Sequence, residues 1–296
     1  MTRFIGWIGL ATLFSGCVTP PPGGGDPSPV KPIGPPEYGV AVDVPAAPFE
    51  PDHAAPALPR WAIIGRPMVT RLIAGAELVE CSVGDGAKEV ELQVVLFDSG
   101  RCDLRVIDQT NGWAGSGVIR DVMRSVHAVA GVNGGFFTPG FHPMGLVVAD
   151  GVSSGGFQNS GLVSGGVATG VRGPMLVWNS EFQAADAFSQ FLQAGPRLVS
   201  QGEPVAGLSP SKKATRTFVA TDGESRWAVG LAKSPSLKEL AEVLASPGLL
   251  PELRVTRALN LDGGRSSSLW VRREDGEELA WTGWSTVRNY LAIVPR

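Results

Sequence analysis

The spacing of apolar and polar residues divides the chain into a leader, an aperiodic stretch and a long periodic region. Residues 4–14 form an apolar run of eleven behind the positive start Met1-Thr2-Arg3. From residue 18 to 59 no period holds. After Arg60, strand-like and helix-like patterns follow one another to the end. Residues 88–97 (KEVELQVVLF) mix alternation with an apolar end and predict a strand, with 103–108 (DLRVID) as its partner. Val118, Ile119, Val122, Met123 and Val126 recur at helical spacing, and Ser116 is placed to cap that helix. Residues 129–132 lead into the turn Asn133-Gly134-Gly135. Residues 217–221 and 226–231 flank Asp222-Gly223-Glu224, a hairpin signal. Ser236-Leu237-Lys238-Glu239 reads as a capping box, with Leu237, Leu240, Ala241 and Leu244 on one apolar face. Residues 257–261 and 268–272 predict short strands around Asp262-Gly263-Gly264, Asp275-Gly276 turns the chain, and 287–294 predict a last strand. The expected fold class is α+β: a single mixed, strand-rich domain over residues 60–296, with no repeat of fixed period.

Composition narrows the class. With 25 basic and 28 acidic residues the formal charge is −3, so no basic face points to nucleic acid. Hydrophobic residues at 43% suffice for one substantial core. The apolar leader is shorter than the ~20 residues that span a bilayer as a helix and fits a signal peptide over residues 1–16. Its small-residue ending, Ser15-Gly16-Cys17, resembles a bacterial lipoprotein box. Cys17 would then carry the acyl chains that anchor the protein to a membrane. Val18, where aspartate would retain a lipoprotein at the inner membrane, resembles outer-membrane sorting. The expected location is extracytoplasmic. Residues 17–59 hold thirteen of the 24 prolines and read as an extended tether. The remaining cysteines, Cys81 and Cys102, are a candidate disulfide outside the cytoplasm, against the alternative of two buried thiols.

Candidate chemistry concentrates in three glycine-rich turns. The first is Asn133-Gly134-Gly135, followed by His142-Pro143-Met144-Gly145; paired glycines let backbone approach a ligand, and Asn133 can bond a sugar hydroxyl. In the second, Gly195-Pro196-Arg197, the arginine offers a planar fork to phosphate, as does Arg216 beyond Lys212 and Lys213. In the third, Asp262-Gly263-Gly264-Arg265-Ser266, a carboxylate at a strand end precedes two glycines and three hydroxyls. Asp262 can act there as base, acid or nucleophile. Each turn also has a purely structural reading. No His or Cys pair has zinc-ligand spacing, and no G-x-S-x-G elbow supports a serine hydrolase, although His142 is a conceivable base. No cofactor is expected.

Together the pieces VNGGFF with PMGLVVADG, AGPRLV, RTFVATDG, SLKELAEVL leading to ALNLDGGRSSSL, and VRNYLAIV resemble, in that order over roughly residues 130–296, the phosphodiester glycosidase family. The His142–Gly145 segment is closer to its bacterial, exopolysaccharide-associated branch than to the N-acetylglucosamine-1-phosphodiester enzymes. The resemblance implies hydrolysis between a sugar's anomeric carbon and a phosphodiester in an envelope or exopolysaccharide glycan. It also implies catalytic roles for Asp262, Asn133 and Arg216. Substrate contacts would come from Gly134, Gly135, His142, Arg197, Gly263, Gly264 and Ser266. The alternative from another class is a non-catalytic polysaccharide-binding lipoprotein using Trp281 and Trp284 as a sugar platform.

Overall fold

Short apolar strands between glycine turns must pair with one another to satisfy their backbone groups. In the computed structural model, which describes residues 61–112, 117–171, 173–183, 188–284 and 286–296, they do so as three antiparallel sheets. The largest runs β1 (Ala62–Ile73), β2 (Ala76–Gly84), β3 (Glu89–Asp98), β14 (Arg226–Lys233), β13 (Arg216–Thr221), β15 (Arg257–Asn260), β11 (Arg197–Ser200) and β12 (Glu203–Pro204). A second has the order β17 (Glu278–Trp281), β16 (Leu269–Arg272), β5 (Ala130–Asn133), β18 (Asn289–Pro295) and β4 (Cys102–Asp108). The third has β7 (Val152–Ser154), β6 (Val147–Ala149), β10 (Gln190–Ala194), β8 (Gly165–Gly170) and β9 (Gly173–Trp178).

The main core lies where the three sheets meet. Leu78, Val95, Val219 and Leu259 come from the first sheet, Val132, Leu269 and Leu291 from the second, and Val147 and Leu192 from the third. On its other face the large sheet packs Val79, Leu92, Val94 and Phe218 against α2 (Leu237–Ala245), whose buried stripe is Leu240, Ala241, Val243 and Leu244. The second sheet packs Trp270 and Tyr290 on α1 (Ile119–Ser125) through Met123. The layers are therefore helix, sheet, paired sheets and helix, strand-rich as expected.

The patterned segments form close to the expected bounds, but the expected pairing of 88–97 with 103–108 is corrected: β3 pairs with β2 and β14, while β4 lies in another sheet and pairs with β18. The capping box of α2 is complete, with the Ser236 hydroxyl accepting from the Glu239 N–H and the Glu239 carboxylate accepting from the Ser236 N–H. Ser116 lies outside the described residues; α1 starts at Val118 without a side-chain cap. His127 is not in that helix but beyond its end, at φ 54°. β1 and β2 were not expected from the sequence. β1 is an edge strand with few buried residues, and its register breaks between Ile64 and Met68, around Pro67, so no alternation marks it. The disulfide expectation is corrected. Cys81 and Cys102 are free thiols. Cys81, on β2, packs against the α2-side core and Cys102 lies in the main core, so the two thiols face opposite sides of the large sheet. Burial raises the pKa of both, that of Cys102 to about 11, with a further push from Asp98.

Candidate active site

Two strand ends from different sheets meet at the site. β5 ends at Asn133, and β15 leads through Leu261 into Asp262. Their turns are stitched together: the Asp262 N–H donates to the Gly134 carbonyl at 2.9 Å, and Asn133 Nδ2 donates to the Asp262 carbonyl at 2.7 Å. Asn133 Oδ1 accepts from the Thr217 hydroxyl at 2.7 Å and from the Ser268 N–H at 3.0 Å. Antiparallel pairing of β13 with β15 sets Phe218 opposite Asn260, which brings Arg216, at the start of β13, beside Asp262. Gly264, at φ 65°, admits the left-handed conformation that starts the 3-10 turn Gly264–Ser266, and its N–H donates to the Thr215 carbonyl at 2.7 Å.

A cavity of about 270 Å³ opens on the α2 side of the large sheet. Phe136, Leu162 and Leu237 supply apolar wall; buried Asn260 and Arg216 and half-buried Asp262 supply its polar groups. Among the described residues, Asp262 is the only acidic one lining it. Burial raises the Asp262 pKa, and hydrogen bonds from the Ser266 hydroxyl and the Gly263 N–H offset only part of that effect. Arg216 is 8% exposed. Its guanidinium donates to the carbonyls of Lys212 at 2.6 Å and Pro235 at 3.4 Å, and no carboxylate among the described residues pairs with it. Burial accordingly lowers its pKa with no acid to compensate. A desolvated, unpaired cation beside a desolvated carboxylate is costly to hold, and it is the arrangement that a bound anion would relieve.

Several sequence-predicted roles change. The four glycine amides do not face a ligand. Gly134 N–H donates to the Asn289 carbonyl, Gly135 N–H to Asn289 Oδ1 at 2.7 Å, Gly263 N–H to Asp262 Oδ1 at 2.8 Å, and Gly264 N–H to Thr215. The first two are glycines for packing: a Cβ on Gly134 would stand 2.2 Å from Asn289 Oδ1, and one on Gly135 2.8 Å from the Gln193 carbonyl. Asn133 is fully buried and committed to protein partners, so it positions Asp262 rather than touching substrate. Arg197 is turned away. Pro196, after the cis Gly195-Pro196 bond, lines the cavity, and strand alternation sends Arg197 to the opposite face, 5.5 Å from the Trp178 ring centroid. His142 is exposed on the loop after β5 and does not line the cavity. Ser266, expected as a substrate contact, lies beside Asp262, and its hydroxyl donates to the carboxylate.

Asn260 was missed as a site residue. It lies two positions before Asp262, hence on the same strand face, and it lines the same cavity. Its Nδ2 donates to the Gly195 carbonyl at 2.8 Å and the Leu261 carbonyl at 2.6 Å, which fixes the amide orientation. Its Oδ1 is buried with no partner among the described residues. The two-residue spacing to Asp262 was the available signal.

Comparison with known proteins decides the family, because the phosphodiester glycosidase model matches residues 127–294, more than half of the chain. The chain belongs to the phosphodiester glycosidase family. The matched span contains Asn133, Arg216, Asn260 and Asp262. No curated protein sequence gives a match. Among solved structures, the catalytic domain of zebrafish N-acetylglucosamine-1-phosphodiester alpha-N-acetylglucosaminidase, auto-inhibited by its pro-peptide, superposes with TM-score 0.57 at 14% identity, over 78% of this chain and 88% of that one. A hypothetical protein from Synechocystis gives TM-score 0.56 at 16% identity over 79% of this chain; this phosphodiester glycosidase family member spans 64% of the Synechocystis chain. An exported protein from Burkholderia pseudomallei gives 0.50 at 15% identity, over 73% and 74% of the two chains. At these identities the likeness is one of fold.

Proposed function

We propose that this protein hydrolyses the bond between the anomeric carbon of a sugar and a phosphodiester in an envelope or exopolysaccharide glycan. The observation that carries the reading is the pairing, in one cavity, of the Asp262 carboxylate with the buried, acid-free guanidinium of Arg216. The sugar sits against Phe136, Leu162 and Leu237. Arg216, helped by Lys212 at the rim, holds the phosphate. Water adds to the anomeric carbon, the carbon–oxygen bond to phosphorus breaks, and its electron pair leaves on the phosphate monoester. Phosphate departs without a proton, so the second carboxylate that ordinary glycosidases use as an acid is dispensable. Asp262 stabilises positive charge at the anomeric carbon and takes the proton of the attacking water. Asn260 Oδ1 accepts from a sugar hydroxyl or acetamido N–H. We place the enzyme at the envelope surface, held by acyl chains on Cys17.

Family membership and the zebrafish structure make an N-acetylglucosamine 1-phosphodiester the first substrate to try. Phosphorus NMR of the purified protein with the methyl ester of N-acetylglucosamine 1-phosphate should show diester converting to monoester. Asp262→Asn should lower turnover by roughly 10²–10⁴-fold, the usual contribution of a positioned acid–base group. Undiminished turnover in that variant removes Asp262 from the mechanism. Binding without turnover across a panel of sugar 1-phosphodiesters selects the polysaccharide-binding alternative.

A further inference from the structure

The cavity of Asp262 and Arg216 has an apolar lip built by two loops that lock onto one strand end. In the loop after β5, Phe137 is bridged to Pro143 and the Met144 N–H donates to the Phe136 carbonyl at 2.9 Å. Phe136 and Met144 therefore stand opposite one another and share a face. The second loop, residues 155–164, is held at the end of β10. The Gln193 side chain accepts from the Gln158 N–H at 2.9 Å and donates to the Gln158 carbonyl at 2.6 Å. A Cβ on Gly195 would stand 2.5 Å from the Leu162 carbonyl oxygen, and one on Gly155 would overlap the Gly145 carbonyl, so the loops also touch each other. Phe136 and Leu162 line the cavity. Leu162 is nevertheless 48% exposed, and on the same two loops Met144 is 39% and Phe157 36% exposed. Phe157 is held in place by stacking on Phe182, with ring centroids 4.3 Å apart. One apolar side chain in water is ordinary; three on touching loops at one mouth form a patch.

With the sugar against Phe136, Leu162 and Leu237 and the phosphate on Arg216, as the function proposed above requires, the alcohol of the diester leaves by this mouth. Leu162, Met144 and Phe157 give a hydroxylated alcohol no side-chain group to bond, and they shield a hydrocarbon chain from water. We propose that the alcohol is a long-chain, prenyl-type lipid alcohol whose chain lies along these three side chains. The inference rests on the proposed function and names its substrate class: a lipid-linked sugar, in which one phosphate joins the anomeric carbon to the lipid. Water then supplies the new anomeric hydroxyl, the bond from the anomeric carbon to the phosphate oxygen breaks, and the lipid phosphate monoester departs.

Two esters of N-acetylglucosamine 1-phosphate test the lip: the methyl ester, which stops short of it, and the ester of citronellol, a short prenyl-type alcohol. Both are used below micelle-forming concentrations, so that the chain being read is the substrate's own. The full-length protein should cleave the citronellyl ester with kcat/KM about tenfold above that of the methyl ester. Replacing Met144→Gln together with Phe157→Gln should bring the two esters to equal kcat/KM, with the melting curve as control. If the double variant melts lower, Met144→Gln alone, which breaks no ring stack, carries the comparison. Equal kcat/KM for both esters in wild type, or a preference that survives in the variant, overturns the proposal. If wild type cleaves neither ester, the proposed reaction with this sugar fails, and a phosphorus NMR titration with citronellyl phosphate and methyl phosphate still decides the lip. Tighter binding of citronellyl phosphate that is lost in the variant upholds it; equal binding of the two by wild type, or a difference kept in the variant, overturns it.

Discussion

Arg216 and Asp262 are each unfavourable to desolvate alone, and the fold sets the buried arginine beside the half-buried carboxylate with no ion pair between them. Arg216 bonds carbonyl groups and meets no acid among the described residues. A phosphate that completes this partnership should stabilise the fold by mass action. Inorganic phosphate is therefore expected to raise the melting temperature of wild type and not of Arg216→Met; an equal rise in the variant would move the phosphate site elsewhere. Asp262 carries the opposite sign of linkage from an ordinary ion-paired acid. Its folded pKa lies above the ordinary 3.8, so ionising it costs stability once the pH exceeds that value and costs nothing below it. Asp262→Asn should therefore melt higher than wild type at neutral pH, with the gap closing on acidification towards pH 3, in a differential-scanning comparison. Asp262 and Arg216 are both legible as chemistry-bearing residues in the sequence. Their isolation from other charges is not, because it depends on which neighbours the sheets bring near.

Helix α2 is the element whose sequence and structure agree most closely, and its cap reaches into the site. The Ser236–Glu239 box closes the helix start, while Glu239 also pairs with Lys88 at 2.9 Å and with Lys213, which sits in the 212–214 segment bordering the cavity. Burial pushes the Glu239 carboxyl up, but Lys213, the Ser236 N–H and Lys88 outweigh it and hold the pKa at about 2. The stability this provides is present above the ordinary 4.5 and is lost as pH falls from there through 2. Urea midpoints should fall across that window in wild type and far less in Glu239→Gln, which begins lower at neutral pH. Ser236→Ala should cost about 1 kcal/mol at neutral pH, as loss of an N-cap usually does. Elements without such local signals were harder to read. β1 breaks its own register at Pro67, and β8 is glycine-rich and buried on both faces, so neither shows a period.

At the scale of the whole chain, the leader and the 17–59 tether lie outside the described residues and stand on composition alone. If Cys17 bears acyl chains, wild type expressed in a two-membrane bacterium should enter the detergent phase on partition and take up a palmitate label. Cys17→Ser should do neither; a labelled Cys17→Ser would refute the anchor. For the folded region, the alternating strands, the hairpin turn at Asp222-Gly223, the capped helix and the ordered glycine motifs that mark the family are legible in the residues alone. Backbone sterics and nearest-neighbour periodicity act over a few residues, so a short stretch of chain carries that information. What the motifs do depends on long-range packing. The Gly134 and Gly135 amides bind Asn289, some 154 residues further on, and Asn133 reaches Asp262 across 129 residues. Strand parity, set by those pairings, turned Arg197 away and Asn260 inward, and it put a sheet between Cys81 and Cys102. Which partner a buried polar group finds is a property of segments far apart in sequence, and only packing brings them together.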